Sequence, residues 1–293
     1  MSAKPEIRGF FDDQTNTITY LVWDPAARQA AVIDPVLDYD PADGTVDTRS
    51  AEKVLDTASE LGLRISYVLE THAHADHLSA APLFKAKTGA AIGIGAHIRD
   101  VQKVFRPMFS ADDLKVDGSD FDRLLNEGDR LSVGGFEIEV IETPGHTAAD
   151  VSYKAGDAVF VGDTLFMPDY GTARTDFPGG DARQLYRSIQ RLLELPPETR
   201  LFMCHDYKAP GRDEYRWETT VAEERRNVHL AACLTEDEFV AMREARDATL
   251  STPKLLLPSI QVNIRAGRLP PAEENGVSYL RIPVRFKDGA HLA

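Results

Sequence analysis

Within six residues, His72-Ala73-His74-Ala75-Asp76-His77, the chain sets three imidazoles and a carboxylate almost side by side. Imidazole and carboxylate are the ligand types that suit iron, zinc or manganese. Such a run needs a backbone that folds tightly, and Ala73 and Ala75 leave room for it as a loop. It follows Ile65–Leu69, a short apolar stretch that reads as a strand. The chain must therefore provide a rigid sheet edge from which this loop projects.

Other metal-ligating residues follow the same rule. Three of the eight histidines lie in the run. His146 follows Thr143-Pro144-Gly145 and the strand Phe136–Glu142, and Asp163 follows the strand Ala158–Val161 and Gly162. His205 follows the strand Leu201–Cys204. Loops at strand ends are held on a stiff scaffold, which is where α/β proteins gather functional groups. His97, His229 and His291 read as ordinary surface or core residues, and Cys204 as a strand residue beside the site.

Thr17–Trp23 and Gln29–Ile33 read as a hairpin around Asp24-Pro25. Ser50–Leu61 has helical spacing and stops at Gly62. Leu78–Thr88 reads as a helix ending at Gly89, whereas the more polar Arg99–Asn126 reads as an insertion or lid. Arg130–Val133, Phe136–Glu142, Asp150–Lys154 and Ala158–Val161 read as strands. The amphipathic helix Arg183–Leu193 follows, and Thr219–Leu230 and Glu236–Thr249 read as helices. Two strand-and-helix halves predict two mixed sheets packed together with helices outside. One domain is expected over residues 1–250, with an extended Pro-rich arm over 251–293 packed on it.

Charge narrows the partners. The 33 basic and 47 acidic residues give a net charge of −14, which argues against nucleic acid and against an anionic membrane surface. An anionic substrate would need a local basic pocket. Two cysteines, Cys204 and Cys233, fit a reducing compartment. No run reaches the roughly 18 apolar residues of a membrane span, and the start lacks a signal-peptide core. A cytoplasmic location and a possible homo-oligomer are the expectations.

The ordered segments His72–His77, Thr143-Pro144-Gly145-His146-Thr147, Val161-Gly162-Asp163-Thr164-Leu165 and His205 resemble the motifs of the metallo-β-lactamase superfamily. Val32-Ile33-Asp34-Pro35 resembles its early strand-and-turn motif. The resemblance covers about residues 7–230 and implies an α/β fold, a four-layer αβ/βα sandwich with the metal at one edge of the sheets. Gly171-Thr172-Ala173-Arg174-Thr175-Asp176-Phe177, Cys204-His205-Asp206-Tyr207-Lys208 and Gln261–Pro270 are similar to the bacterial persulfide dioxygenases. The Arg174–Phe177 signature with Ala73 and Ala75 separates that group from glyoxalase II.

That closer resemblance implies one Fe(II) held by His72, His146 and Asp163, with His74, Asp76, His77 and His205 standing behind these ligands. It implies oxidation of glutathione persulfide by dioxygen to sulfite and glutathione. Arg174 and Tyr207 match positions that bind the glutathione part, and Lys208, Arg212 and Arg216 lie near enough in sequence to meet its carboxylates. The same side chains also support a hydrolase with two Zn(II) ions bridged by Asp163, acting on a thioester or a lactam.

Overall fold

The computed structural model describes residues 4–233 and 235–284; His291 lies outside them. The first half of the chain runs β1 (Glu6–Asp12), β2 (Thr17–Asp24), β3 (Gln29–Ile33), β4 (Val36–Asp40), β5 (Thr45–Asp47), α1 (Arg49–Glu60) and β6 (Arg64–Leu69). It continues through β7 (Leu78–Ser79), α2 (Ala81–Thr88), β8 (Ala91–Gly95), α3 (Ile98–Met108) and β9 (Arg123–Leu125). The second half contains β10 (Arg130–Val133), β11 (Phe136–Glu142), β12 (Val151–Ala155), β13 (Ala158–Phe160), α4 (Ala182–Leu193), β14 (Arg200–Phe202) and β15 (Glu218–Thr220). Helices α5 (Val221–Glu224), α6 (Val228–Ala231), α7 (Glu236–Asp247) and α8 (Leu256–Asn263) follow.

Two six-stranded sheets result, in the orders β1-β2-β3-β6-β8-β9 and β10-β11-β12-β13-β14-β15. The first is antiparallel through β3 and parallel from β3 to β9. In the second only the β13–β14 pair is parallel. Ile18, Tyr20, Val22 and Ile33 of one sheet pack on Ile138, Val140, Tyr153 and Phe160 of the other. The opposite face of the first sheet is covered by α1, α2, α3 and α8, through Val54, Phe84, Val101, Phe105 and Ile260. Leu185, Ile189 and Leu192 of α4, with Phe239 of α7, cover the second. Each sheet hides one face in the other and one under helices, which makes the four-layer sandwich.

Several sequence expectations change. Arg99–Asn126 is not a lid: α3 buries Ile98, Val101, Gln102 and Phe105 at helical spacing, and Phe109, Leu114 and Phe121 join the same core. Gln102 donates from Nε2 to the Ile264 carbonyl at 2.9 Å, tying this segment to α8. Leu78 and Ser79 are strand, pairing with Leu37 and Val36, so the helix starts only at Ala81. Thr219–Leu230 opens as strand β15 and then breaks into two short helices. The arm expected to be extended contains helix α8, whose residues Ser259 to Asn263 are all buried. Pro258 stands in the first turn of α8, where its missing N–H costs nothing.

Candidate metal centre

The histidine run leaves β6 and is packed under the body of the fold; His72, His74 and His77 are each at most 1% exposed. His146 leaves β11, Asp163 leaves β13 and His205 leaves β14, all buried. Gly145 makes the His146 loop possible. A Cβ on it would fall 2.3 Å from the backbone nitrogen of Leu185 in α4, and its φ of 146° suits glycine. Ile18 N–H donates to the Cys204 carbonyl at 2.7 Å, joining the two sheets at this edge.

His72, His146 and Asp163 form one compact donor set: Asp163 Oδ2 stands 3.9 Å from His72 Nε2 and 3.6 Å from His146 Nε2. His205 Nε2 lies 3.3 Å from the other oxygen of Asp163 and 3.1 Å from Asp76 Oδ2. His74, Asp76 and His77 form a second set, which shares no residue with the first. Five buried ligand-type atoms here have no hydrogen-bond partner: His72 Nε2, His74 Nδ1, His77 Nε2, His205 Nε2 and Asp163 Oδ1. Buried polar atoms are nearly always satisfied, so five orphans in one place fit a site for metal.

Each imidazole is oriented by its other nitrogen. His146 Nδ1 donates to the Arg174 carbonyl at 2.8 Å, leaving Nε2 bare. His72 Nδ1 meets Thr71 Oγ1 at 3.1 Å, and that hydroxyl donates to Asp34 Oδ2 at 2.9 Å. His74 Nε2 is turned onto Asp34 Oδ1 at 2.9 Å, with Glu70 Oε2 at 3.4 Å. Asp34 is thus the hub of the support, also accepting from the Thr71 N–H at 2.7 Å. Its φ of 50° lies in the left-handed region, uncommon outside glycine, and is held there by these bonds. Asp34, Glu70 and Asp150 are site residues that ligand spacing does not reveal. Only the strand-end position of Asp34 in Ile33-Asp34-Pro35 marks it.

Burial, then its imidazole neighbours His74 and His146, push the pKa of His72 well below the usual value. Burial also opposes charge on His74, but Asp34 and Glu70 outweigh it and raise its pKa well above that value. Burial, and then Asp34, push the Cys204 thiol well up. A protonated thiol 3.6 Å from Asp34 Oδ2 is a supporting group beside the site. Burial raises Asp150 to about 6 against the pull of His146; it accepts from the Thr147 N–H and hydroxyl and so closes the His146 turn.

A cavity of about 680 Å³ opens onto the centre. Asp76, His77, His146 and Asp163 form its floor, with Phe166, Tyr170, Phe177 and Tyr207 among its walls. Tyr207 stacks on His205, ring centroids 5.6 Å apart. Arg174 also lines it, but Asp176 takes Nε and Nη2 at 2.6 and 2.7 Å, and Nη1 donates to the Ser251 carbonyl. Its charge is compensated and its fork closed, so it holds the wall together. Lys208 and Arg212 are not among the lining residues. Arg212 is paired with buried Asp206 and with Asp169, and Lys208 sits over the Tyr215 ring at 4.2 Å. Arg216 pairs with Glu214 and is likewise outside the lining.

The predicted surface and core histidines behave as ordinary residues: His97 pairs with Asp100, and His229 Nδ1 accepts from the Thr172 N–H at 2.9 Å.

Residues 13–205 match the family model described as the metallo-beta-lactamase superfamily. The chain belongs to that superfamily. Among its relatives within the superfamily, a probable metallo-hydrolase of Burkholderia pseudomallei is 54% identical over 95% of this chain and 98% of its own length. The human mitochondrial persulfide dioxygenase ETHE1 is 28% identical, covering 89% of this chain and 88% of that protein. The crystal structure of ETHE1 from Myxococcus xanthus is 34% identical with a TM-score of 0.72, over 90% of this chain and 100% of that one. These superfamily relatives agree with a metal-dependent enzyme. Among the described residues no helix is long and apolar enough to cross a membrane.

Proposed function

We propose that this chain is a mononuclear iron persulfide dioxygenase, taking a thiol persulfide such as glutathione persulfide together with dioxygen and water to sulfite and the free thiol. The observation that carries the reading is the compact two-histidine, one-carboxylate set His72, His146 and Asp163. His72, His146 and Asp163 would hold a ferrous ion, which would supply the redox chemistry that joins a persulfide sulfur to dioxygen. Likeness to the two persulfide dioxygenase relatives supports it.

This chain's own groups do the rest. Thr71 and the Arg174 carbonyl fix the ring orientation of His72 and His146. Phe166, Phe177 and Tyr207 form an aromatic wall beside the floor, against which the apolar part of the substrate can pack. Asp76 and His205, 3.1 Å apart beside Asp163, are placed to hold a proton released as water is consumed.

A second reading has its own observation. His74 Nδ1, His77 Nε2 and His205 Nε2 are also orphaned, as two zinc ions in a hydrolase would require, and the Burkholderia relative is named a probable metallo-hydrolase. Metal analysis with an oxygen-uptake assay on glutathione persulfide separates the two. The dioxygenase has about one iron per chain and consumes oxygen. In it, His72→Ala, His146→Ala and Asp163→Ala each lose the metal, while His74→Ala keeps substantial iron, weakened about 10–100-fold at most. Two tightly held zinc ions, thioesterase activity and no oxygen uptake would establish the hydrolase instead.

A further inference from the structure

Arg246 and Lys254 are the cations of the cavity wall that make no ion pair among the described residues. Of the cations lining the cavity, Arg174 is paired with Asp176 and Arg243 with Asp247. Arg246 and Lys254 make no ion pair or side-chain hydrogen bond among the described residues. The spacing on α7 explains this for Arg246. Its neighbours three and four residues away are Arg243, Met242, Thr249 and Leu250, so an acidic helix leaves it no carboxylate on its own face. Its field is felt nearby: after burial and Arg243, it helps hold His229 down at about 4.

The wall that carries them is a separate piece of structure. Leu250, Ser251, Thr252, Pro253, Lys254 and Leu255 all line the cavity, and Arg174 grips this stretch through the Ser251 carbonyl. It lies outside residues 13–205, the part matched to the superfamily, so it is free to set specificity without altering the metal floor. On a protein of net charge −14, in a cavity that Asp12 and Asp38 also line, these two unpaired cations are the groups that can attract an anion.

We infer that Arg246 and Lys254 form the anion-binding end of the cavity and select substrates whose thiol-bearing group carries a carboxylate remote from the sulfur. This rests on reading the site as one for a thiol-borne group. The role expected of Arg174 thereby passes to a wall that the motif does not include.

The test is the double variant Arg246→Gln, Lys254→Gln, with metal content measured alongside. Binding of glutathione to the metal-loaded protein, read by calorimetry, should weaken about 2–30-fold, the range for two exposed charge contacts. The difference should shrink between 50 and 500 mM salt, as the screening length falls to about 4 Å. In turnover, KM for glutathione persulfide should rise while kcat and metal content stay. KM for the uncharged persulfide of 2-mercaptoethanol should not move. Equal glutathione affinity in variant and wild type, or an equal rise in KM for both persulfides, overturns the inference. The binding arm needs no oxygen chemistry. A wild type that takes up no oxygen, yet loses glutathione affinity in the double variant, would remove the dioxygenase reading and leave the anion end standing.

Discussion

At the residue scale, the centre depends on a carboxylate that touches none of the three proposed ligands directly. Asp34 reaches His72 through Thr71 and binds His74 itself, all within the buried edge. Burial works against its charge, but His74 and Thr71 outweigh that and hold its pKa below the usual range. Ionised Asp34 therefore fixes the Nδ1–H form of His72 and keeps Nε2 free. Asp34→Asn retains the shape and removes the charge. Its expected effect is a loss of metal affinity of about 10–100-fold, with folding intact. Competition titration against a chelator, with circular dichroism as the control for folding, measures this; unchanged affinity would show that Asp34 only shapes the turn. The ligand-type residues were legible because imidazoles after strand ends are conspicuous. Asp34, Glu70 and Asp150 were not, since a carboxylate that supports a histidine looks in sequence like any other turn or strand-end acid.

At the element scale, the cavity wall is stapled from behind by short helices. Asn227 Nδ2 donates to the Gly171 carbonyl at 2.9 Å and to Glu224 at the same distance, and the Val228 N–H donates to the Pro168 carbonyl. Glu224 is fully buried, and burial, offset in part by Asn227, raises its pKa to about 8, with Glu223 and Asp169 adding to the rise. The sign follows from linkage: a folded pKa above the unfolded value means the native state holds the proton more tightly. The stability contributed by neutral Glu224 is complete below pH 4.5 and is lost as pH climbs through about 8. Glu224→Gln, neutral at every pH, should not show that loss. Across this window the wild type is expected to lose roughly 2–5 kcal/mol relative to the variant. Urea unfolding of both proteins at pH 5, 7 and 9 reads it, and parallel curves would place the titration elsewhere. Elements with a clean period, such as β11 and α4, were readable in sequence. Helix α3 has apolar residues at the right spacing, yet charged neighbours and Pro107 disguised it. Strand β8, Ala91-Ile92-Gly93-Ile94-Gly95, is weakened as a signal by two glycines that lie close under Leu69 and Ala149. Helix α8 lacks alternation because nearly every face of it is covered, so its Pro-rich sequence read as extended.

At the scale of the whole molecule, the metal loop is locked by the far end of the chain. Asn263, on the last turn of α8, donates from Nδ2 to the carbonyls of His74 and His77, both at 2.8 Å. Its Oδ1 accepts from the Ser79 N–H at 2.9 Å. One buried amide thus satisfies three backbone groups of the loop, 184 to 189 residues earlier in the chain. Ile260 and Ile264 meanwhile fill the core layer between α3 and the first sheet. Asn263→Ala leaves two carbonyls and one N–H buried without partners, and each orphan costs about 1–3 kcal/mol. Part of that is recovered where water can enter, so a net destabilisation of about 2–4 kcal/mol is expected. The effect should be directional. Metal that binds only the native state stabilises it by an amount that falls as its affinity falls, so added metal should raise the variant's melting temperature less than the wild type's. Leu256→Ala, at the partly buried start of α8, supplies the control, since it lowers stability without touching the loop. If Asn263→Ala and Leu256→Ala lower metal affinity in proportion to the stability each loses, α8 acts as a core helix and nothing more. A loss of metal affinity confined to Asn263→Ala shows that the C-terminal segment is part of the metal centre's frame, although it stands outside the region that carries the superfamily's motifs.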